Sequence, residues 1–150
     1  MNILLINGPN LNLLGTREPE IYGSITLDEI VGRAGERARA LGAEVMAFQS
    51  NHEGAIIDFV QAQSPAAGGI VINPGALTHY GLSLRDALAA CRLPIVEVHI
   101  SNIYTRESFR RRSVTAEVSA GVISGLGWRG YLLALEAVVE LAKERHPGPS

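Results

Sequence analysis

Short, mostly apolar runs alternate along this chain with longer stretches in which apolar residues recur every three or four positions. Runs of this length are typical of strands that are buried on both faces, as in a parallel sheet. We therefore predict five strands. They lie at Ile3–Ile6, Val45–Phe48, Gly69–Ile72, Ile95–Ile100 and Gly121–Ile123.

The stretches between these runs carry the boundary signals of helices. Thr26, with Glu29 three residues later, matches a capping box, and Gly42 supplies a stop. Ser50 and Glu53 repeat the capping-box spacing and predict a second helix start. Apolar positions on one face predict two further helices, Leu82–Cys91 and Trp128–Arg145.

Strand and helix alternate from end to end, an order that requires crossover connections between parallel strands. We predict an α/β domain with a flavodoxin-like doubly wound sheet, five strands in the order 2-1-3-4-5 and helices on both faces. One domain over residues 1–145 accounts for the pattern, and residues 146–150 are expected to be a disordered tail. Ligands bind at the carboxyl ends of the strands in such folds, so the segments after each strand are the candidate sites.

Composition narrows the possible functions. The net charge of −2 gives no reason to expect nucleic acid or an anionic membrane as a partner. No apolar run approaches the roughly 18 residues of a membrane span, and the start lacks the basic region of a signal peptide, so we expect a cytoplasmic protein. Cys91 is the single cysteine, Lys143 the single lysine, and aspartate occurs only three times. These counts argue against a disulfide, a Schiff-base lysine and an acidic metal cluster.

A loop of about sixteen residues follows the first strand, from Gly8 to Gly23, and includes Asn10, Arg17 and Tyr22. Loops of this length in a compact domain are usually functional lids or disordered, and the leucines of this one favour a lid. Loop statistics alone would make Tyr22 an anchoring aromatic. They would make Arg17 and Glu18 a solvated surface pair.

The turn after the third strand, Asn73-Pro74-Gly75-Ala76, offers backbone N–H groups, and His79 follows within one helical turn. This arrangement suits the binding of a carboxylate or of hydroxyls. An Asx-Pro turn with a surface histidine explains the same residues equally well.

The fourth strand carries the most informative pair. The period of two places Glu97 and His99 on one face, and a glutamate within an apolar strand needs a partner. A carboxylate bonded to one imidazole nitrogen fixes the tautomer and makes the other nitrogen more basic, which is how a general acid or base is held. A purely structural pair is the alternative.

Two further motifs follow. Arg106 and Arg110 would share a face if their segment were helical, whereas Arg111 and Arg112 extend a charge run with no assigned role. The segment Gly125–Gly130 matches G-x-G-x-x-G, but too little chain remains for a dinucleotide-binding unit. We interpret its glycines as turn and packing residues.

Five long segments, in order and in register, resemble the family of type II 3-dehydroquinate dehydratases over about residues 2–142. They are residues 6–12, 17–23, 49–54, 73–79 and 98–102, and residues 121–131 also fit. The resemblance implies dehydration of 3-dehydroquinate to 3-dehydroshikimate in the shikimate pathway, by anti elimination through an enolate, with no metal and no cofactor. It also implies a homododecamer built as a tetramer of trimers.

The resemblance further implies roles for single residues. Tyr22 would be the base, Arg17 would hold it near its anionic form, His99 would be the acid and Glu97 would orient His99. Asn10 would position the water that stabilises the enolate. Substrate-binding residues would be Asn73, His79, Ile100, Ser101 and Arg110, with Arg106, Gly75 and Ala76 in support and Asp86 reaching a neighbouring subunit's site. A binding module for a small anion, without turnover, is the alternative function.

Overall fold

All five predicted strands are present in the structure, a computed structural model that describes residues 1–16, 20 and 24–145. The strands are β1 Asn2–Asn7, β2 Glu44–Gln49, β3 Gly69–Asn73, β4 Ile95–His99 and β5 Gly121–Ser124. The described α-helices are α1 Leu27–Ala40, α2 Glu53–Gln63, α3 Leu82–Cys91 and α4 Arg129–Arg145. Arg17, Tyr22 and the predicted tail, residues 146–150, lie outside the described residues.

The strands form one parallel sheet in the order β2-β1-β3-β4-β5, which confirms the predicted topology. The register brings the carboxyl ends of the strands to one edge. Asn7 at the end of β1 stands beside Asn73 of β3, and His99 at the end of β4 stands beside Ser124 of β5. The polar residues that follow the strands therefore meet at that edge.

Helices cover both faces of the sheet, as predicted. Ile3 and Leu5 of β1 pack with Ile30 of α1 and Leu135 of α4 in one buried cluster. On the other face, Leu4, Ile6 and Ile72 pack with residues of α2 and α3 in a second cluster. The alternation of side chains along each strand divides the core in this way.

The two predicted capping boxes have different outcomes. Thr26 caps α1, because its hydroxyl accepts the backbone N–H of Glu29 at 3.2 Å. The cap predicted at Ser50 is wrong, since α2 begins at Glu53 with His52 in the capping position. The carboxylate of Glu53 instead accepts the N–H of Leu84 at 3.0 Å, in the first turn of α3. The carboxylate of Glu53 therefore binds the free N–H at the start of α3 and not the backbone at the start of its own helix.

β1 and β2 extend one residue beyond the prediction at each end, and β3 and β5 extend one residue at the carboxyl end. β4 ends at His99 rather than at residue 100, and α4 begins at Arg129 rather than at residue 128. The segment with Arg106 and Arg110 is not α-helical: it forms two 3₁₀ turns, Ile103–Thr105 and Ser108–Arg110. In the described part of the chain, no helix is long and apolar enough to cross a membrane.

Candidate active site

A cavity of about 160 Å³ opens at the carboxyl edge of the sheet, between the loops that follow β1, β3 and β4. By the same measure one water needs roughly 10–15 Å³, so the cavity admits a molecule of about a dozen non-hydrogen atoms. Among its lining residues are most of those predicted from the sequence: Asn10, Asn73, Gly75, Ala76, His79, His99, Ile100, Ser101, Arg106 and Arg110. The predicted site residues therefore converge, although they come from three separate segments.

Close backbone packing joins the loops after β1 and β3. The N–H of Gly8 donates to the carbonyl of Asn73 at 2.8 Å, and a Cβ on Gly8 would lie 2.3 Å from the carbonyl oxygen of Pro74. Gly75 has φ +61°, and a Cβ there would lie 3.0 Å from the carbonyl oxygen of Pro9. Only glycine permits this approach at Gly8, because any side chain would collide with backbone.

The loop after β2 supports Asn10. Asn10 has φ +69°, a left-handed conformation that asparagine tolerates, and its N–H donates to Asn51 Oδ1 at 2.9 Å. Gln49 donates to the same Oδ1 at 3.2 Å and to the carbonyl of Gly8 at 3.2 Å. Gln49 and Asn51 thereby hold the cavity-lining loop in place.

A buried tyrosine sets the orientation of Asn73. The hydroxyl of Tyr131, at the start of α4, donates to Asn7 Oδ1 at 2.7 Å and accepts from Asn73 Nδ2 at 2.9 Å. Asn73 Oδ1 accepts the N–H of Gly75 at 3.1 Å. Burial raises the pKa of Tyr131 far above its ordinary value, with the hydrogen bond from Asn73 opposing the rise, so this phenol stays protonated. It is a fixed donor.

Glu97 and His99 form the predicted pair. Glu97 Oε2 lies 2.8 Å from His99 Nε2, and the two residues are 0% and 5% exposed. Burial by itself would raise the pKa of Glu97. The hydrogen bond and charge of His99 and the hydroxyls of Thr115 and Ser113 outweigh it, so the pKa of Glu97 is lowered. Glu97 is therefore ionised, and the Nε2–H of His99 donates to it.

The second histidine of the cavity has a neutral partner. His79 Nδ1 lies 2.7 Å from the carbonyl oxygen of Arg112. A carbonyl can only accept, so Nδ1 carries a hydrogen, and in the neutral ring Nε2 is the acceptor. This tautomer suits His79 to accept a hydrogen bond from a ligand hydroxyl.

Arginines supply the positive charge of the cavity. Arg110 Nε lies 2.8 Å from Glu107 Oε2, and Arg106 Nε lies 4.0 Å from the same oxygen. The segment is not α-helical, so the condition for a shared helical face is not met, yet both arginines line the cavity, because two 3₁₀ turns bend the segment around it. Both guanidinium groups therefore lie within ion-pair distance of one carboxylate.

Among the predicted site residues that the structure describes, Glu97 and Asp86 do not line the cavity. Glu97 lies behind His99, where a residue predicted to orient that ring would stand. Asp86 lies on α3 with a side chain that is 77% exposed, and pairs with Arg85 at 3.5 Å. Within one chain the structure does not bring Asp86 to the site.

The glycine motif near the C-terminus is structural. Gly125 and Gly127 have φ +93° and +64°, and their N–H groups donate to the carbonyls of His99 and Ile100. A Cβ on Gly130 would lie 3.1 Å from Val98 Cγ2, which shows close packing of α4 on β4. The turn and packing interpretation is thus confirmed, and the motif anchors the end of β4.

Sequence reasoning missed a group of hydroxyls. Thr78, Ser113 and Thr115 all contact the carboxylate of Glu97. The available signal was Glu97 itself, since one imidazole N–H cannot satisfy a buried carboxylate with two oxygens.

Within the described ranges no cluster of three His, Cys, Asp or Glu could hold a metal ion.

Comparison with known proteins finds one family throughout. The family model described as Dehydroquinase class II matches residues 1–139. A 3-dehydroquinate dehydratase of Roseiflexus castenholzii is 65% identical over 136 residues, which are 91% of this chain and 87% of the relative. A 3-dehydroquinate dehydratase of Halothermothrix orenii is 60% identical over 142 residues, which are 95% of this chain and 96% of the relative. The crystal structure of a type II dehydroquinase from Propionibacterium acnes superposes with a TM-score of 0.89 at 42% identity, covering 93% of this chain and 96% of that one.

Proposed function

The chain belongs to the class II dehydroquinase family and is a hydro-lyase that dehydrates 3-dehydroquinate, and we propose that the reaction is an anti elimination through an enolate. The product is 3-dehydroshikimate, an intermediate of the shikimate pathway. The observation that carries the mechanism is the buried pair of Glu97 and His99 at the wall of a cavity of substrate size. The other roles below follow from the family and from the positions of the cavity residues.

His99 is the acid for the leaving hydroxyl at C1. Hydroxide is a poor leaving group, so the carbon–oxygen bond breaks only as a proton reaches the oxygen. Ionised Glu97 stabilises a protonated imidazole and binds Nε2, which leaves Nδ1 to deliver the proton. Water is then the leaving group, and His99 is neutral after the step.

Tyr22 is the base that removes the proton from C2, next to the ketone. A tyrosine has an ordinary pKa of about 10, so its use as a base near neutral pH requires a cation close by. Arg17 supplies that charge in the proposal. In the sequence both fall between β1 and α1, and the described residues that follow β1 line the cavity through Asn10, Leu13 and Leu14.

The enolate formed by proton removal is stabilised by neutral donors. Asn10 lines the cavity and holds a water that donates to the enolate oxygen. Asn73, His79, Arg110 and the segment Ile100–Ser101 bind the substrate carboxylate and hydroxyls. Arg106, Gly75 and Ala76 complete the wall on either side.

Lys143 takes no part in this mechanism. It lies near the end of α4, twelve positions beyond Tyr131, which contacts Asn73 at the cavity edge. At 1.5 Å per residue the two are about 18 Å apart along the helix.

The decisive experiment follows formation of the conjugated enone from 3-dehydroquinate by ultraviolet absorption, with Tyr22→Phe as the matched variant. We expect turnover by the wild type and a fall in kcat of at least about 100-fold for Tyr22→Phe, because a base in a proton transfer contributes roughly 10²–10⁴-fold. Substrate deuterated at either position of C2 reports the stereochemistry, since anti elimination removes only the hydrogen opposite the C1 hydroxyl. Binding of 3-dehydroquinate without turnover would establish the binding-module alternative instead.

A further inference from the structure

Three hydroxyl groups surround the carboxylate of Glu97, on the side away from the cavity. Ser113 Oγ and Thr78 Oγ1 lie 2.8 and 3.1 Å from Oε2, and Thr115 donates to Oε1. The hydroxyls of Thr78 and Ser113 are 2.5 Å apart, and those of Thr78 and Thr115 are 2.9 Å apart. We call these three residues the hydroxyl cradle.

The contacts of the Glu97 carboxylate suit its ionised form. An ionised carboxylate only accepts, and the groups around this one can all donate. The Nε2–H of His99 and the hydroxyls of Thr78 and Ser113 lie at Oε2, and the hydroxyl of Thr115 lies at Oε1. A protonated Glu97 would donate to one of these hydroxyl oxygens, and that contact would run in the opposite direction.

The cradle stands on two segments that the backbone ties together. Thr78 precedes His79 after β3, and Ser113 and Thr115 lie before β5. The N–H of Val114 donates to the carbonyl of Thr78 at 2.7 Å. Ser113 Oγ accepts the N–H of Ala116 at 3.0 Å and donates to Glu97 Oε2 at 2.8 Å.

We propose that Thr78, Ser113 and Thr115 are positioning residues for the acid step, which hold Glu97 ionised and directed at His99 Nε2. The ring of His99 then keeps a hydrogen on Nε2 and presents Nδ1 to the substrate. The kinetic part of this inference rests on the proposed function, whereas the tautomer of His99 does not. Burial of a charge has a desolvation cost, and apolar residues of equal volume would pack here at least as stably. The buried carboxylate and its three hydroxyl donors therefore indicate a role beyond packing.

Few other charges face this pair. Within the part of the chain that the structure describes, His79, Arg106 and Arg110 line the same cavity, and Tyr131 packs from α4 on the opposite face of the sheet. The cradle residues carry no charge. Loss of a cradle hydroxyl therefore removes donation to Glu97 without removing a charge, and the pKa of Glu97 rises.

The test compares Thr115→Val and Ser113→Ala with Ser119→Ala, whose hydroxyl donates to the carbonyl of Thr115 and does not contact Glu97. We expect kcat at neutral pH to fall roughly 10- to 100-fold in the first two, by the strength of a hydrogen bond to a charged group. KM should change little. Because activity requires ionised Glu97, the acid limb of the kcat profile should move up by about one pH unit. Ser119→Ala should behave as wild type, and Thr115→Ser, which keeps a hydroxyl, should restore most of the activity.

Nitrogen NMR of labelled histidine, assigned with His99→Gln, gives a measurement that needs no turnover. We expect neutral His99 in the wild type to carry its hydrogen on Nε2, and a mixture of tautomers in the cradle variants. Wild-type His99 with its hydrogen on Nδ1 would overturn the proposal, and so would cradle variants that match Ser119→Ala in tautomer and in pH profile. Absence of turnover by the wild type would contradict the proposed function and leave the NMR result to judge the cradle.

Discussion

The two histidines of the cavity differ in the group that holds each of them. His99 donates its Nε2–H to an ionised carboxylate. His79 donates its Nδ1–H to the carbonyl oxygen of Arg112. In the proposed mechanism, one residue type thus gives up a proton at one wall of the cavity and binds a substrate hydroxyl at another. At the scale of the residue, function is set by the partner behind each side chain.

The same principle predicts the effect of Tyr131→Phe. The change leaves Asn7 Oδ1 without its donor and Asn73 Nδ2 without its acceptor, both in a buried site. We expect the free energy of unfolding to fall by about 1–3 kcal/mol, and KM to rise because the amide of Asn73 is no longer oriented. Urea unfolding and steady-state kinetics measure the two effects.

Tyr104→Phe is the control for that substitution, since Tyr104 is an exposed side chain. A surface change of this kind should alter stability by less than about 0.5 kcal/mol. If the two variants were equally stable, the hydrogen bonds of Tyr131 with Asn7 and Asn73 would contribute nothing to the free energy of unfolding.

At the scale of the element, the site depends on the contacts between the loops at the carboxyl edge of the sheet. The loop after β1 touches the loop after β3 through Gly8 and Gly75, and the loop after β2 holds it through Asn51. The turns after β4 bend so that Arg106 and Arg110 face the same space. Each loop has little structure of its own, and its position comes from its neighbours.

Gly8→Ala tests the contact between the loops after β1 and β3. The added Cβ would lie 2.3 Å from the carbonyl oxygen of Pro74, so the two loops must separate. We expect a loss of about 1–3 kcal/mol in the free energy of unfolding, as for overpacking, and a fall in kcat/KM because Asn10 and Asn73 no longer share one geometry.

The matched control is Gly32→Ala in α1, where an added Cβ would meet nothing within 4 Å. Alanine is favoured over glycine in a helix, so this variant should gain about 0.5–1 kcal/mol. If Gly8→Ala also proved stabilising, the close approach of the two loops would be wrong.

At the scale of the whole molecule, one residue of the predicted site, Asp86, does not line the cavity of its own chain. Asp86 is exposed on α3, and large apolar side chains are exposed close to it in the fold. Tyr80 and Leu82 flank the start of α3, and Phe109 is on a turn that contacts the turn Gly75–His79. Exposed large apolar side chains at the start of α3 suit contact with another chain. The trimer and the dodecamer stay predictions.

Mixing of two inactive variants tests whether Asp86 acts across a subunit boundary. Asp86→Ala and Tyr22→Phe, each nearly inactive alone, are unfolded and refolded together in equal amounts. If each site takes Tyr22 from one chain and Asp86 from the next, about a quarter of the sites are intact and activity returns to that extent. Mixed assemblies no more active than their parents would place the role of Asp86 within its own subunit or in packing alone.

The sequence by itself determined the strands, their order and the Glu97–His99 pair. These features depend on periods of two and of three to four residues, and on the rule that parallel strands need crossovers. Thr26 belongs with them, because its cap lies three residues away. Local patterns report contacts between residues that are close in the chain.

Tertiary structure alone decided the contacts between distant segments. Thr78, Ser113 and Thr115 reach Glu97 from 16 to 19 positions away on either side, and no periodicity relates them. Packing between distant segments also explains why the carboxylate of Glu53 binds the first turn of α3 and not the start of its own helix. It likewise brings Arg106 and Arg110 to one cavity although their segment is not an α-helix. A buried polar group takes the donor that the packed sheet brings within reach, and that donor is determined by the register of the strands and the path of the crossovers.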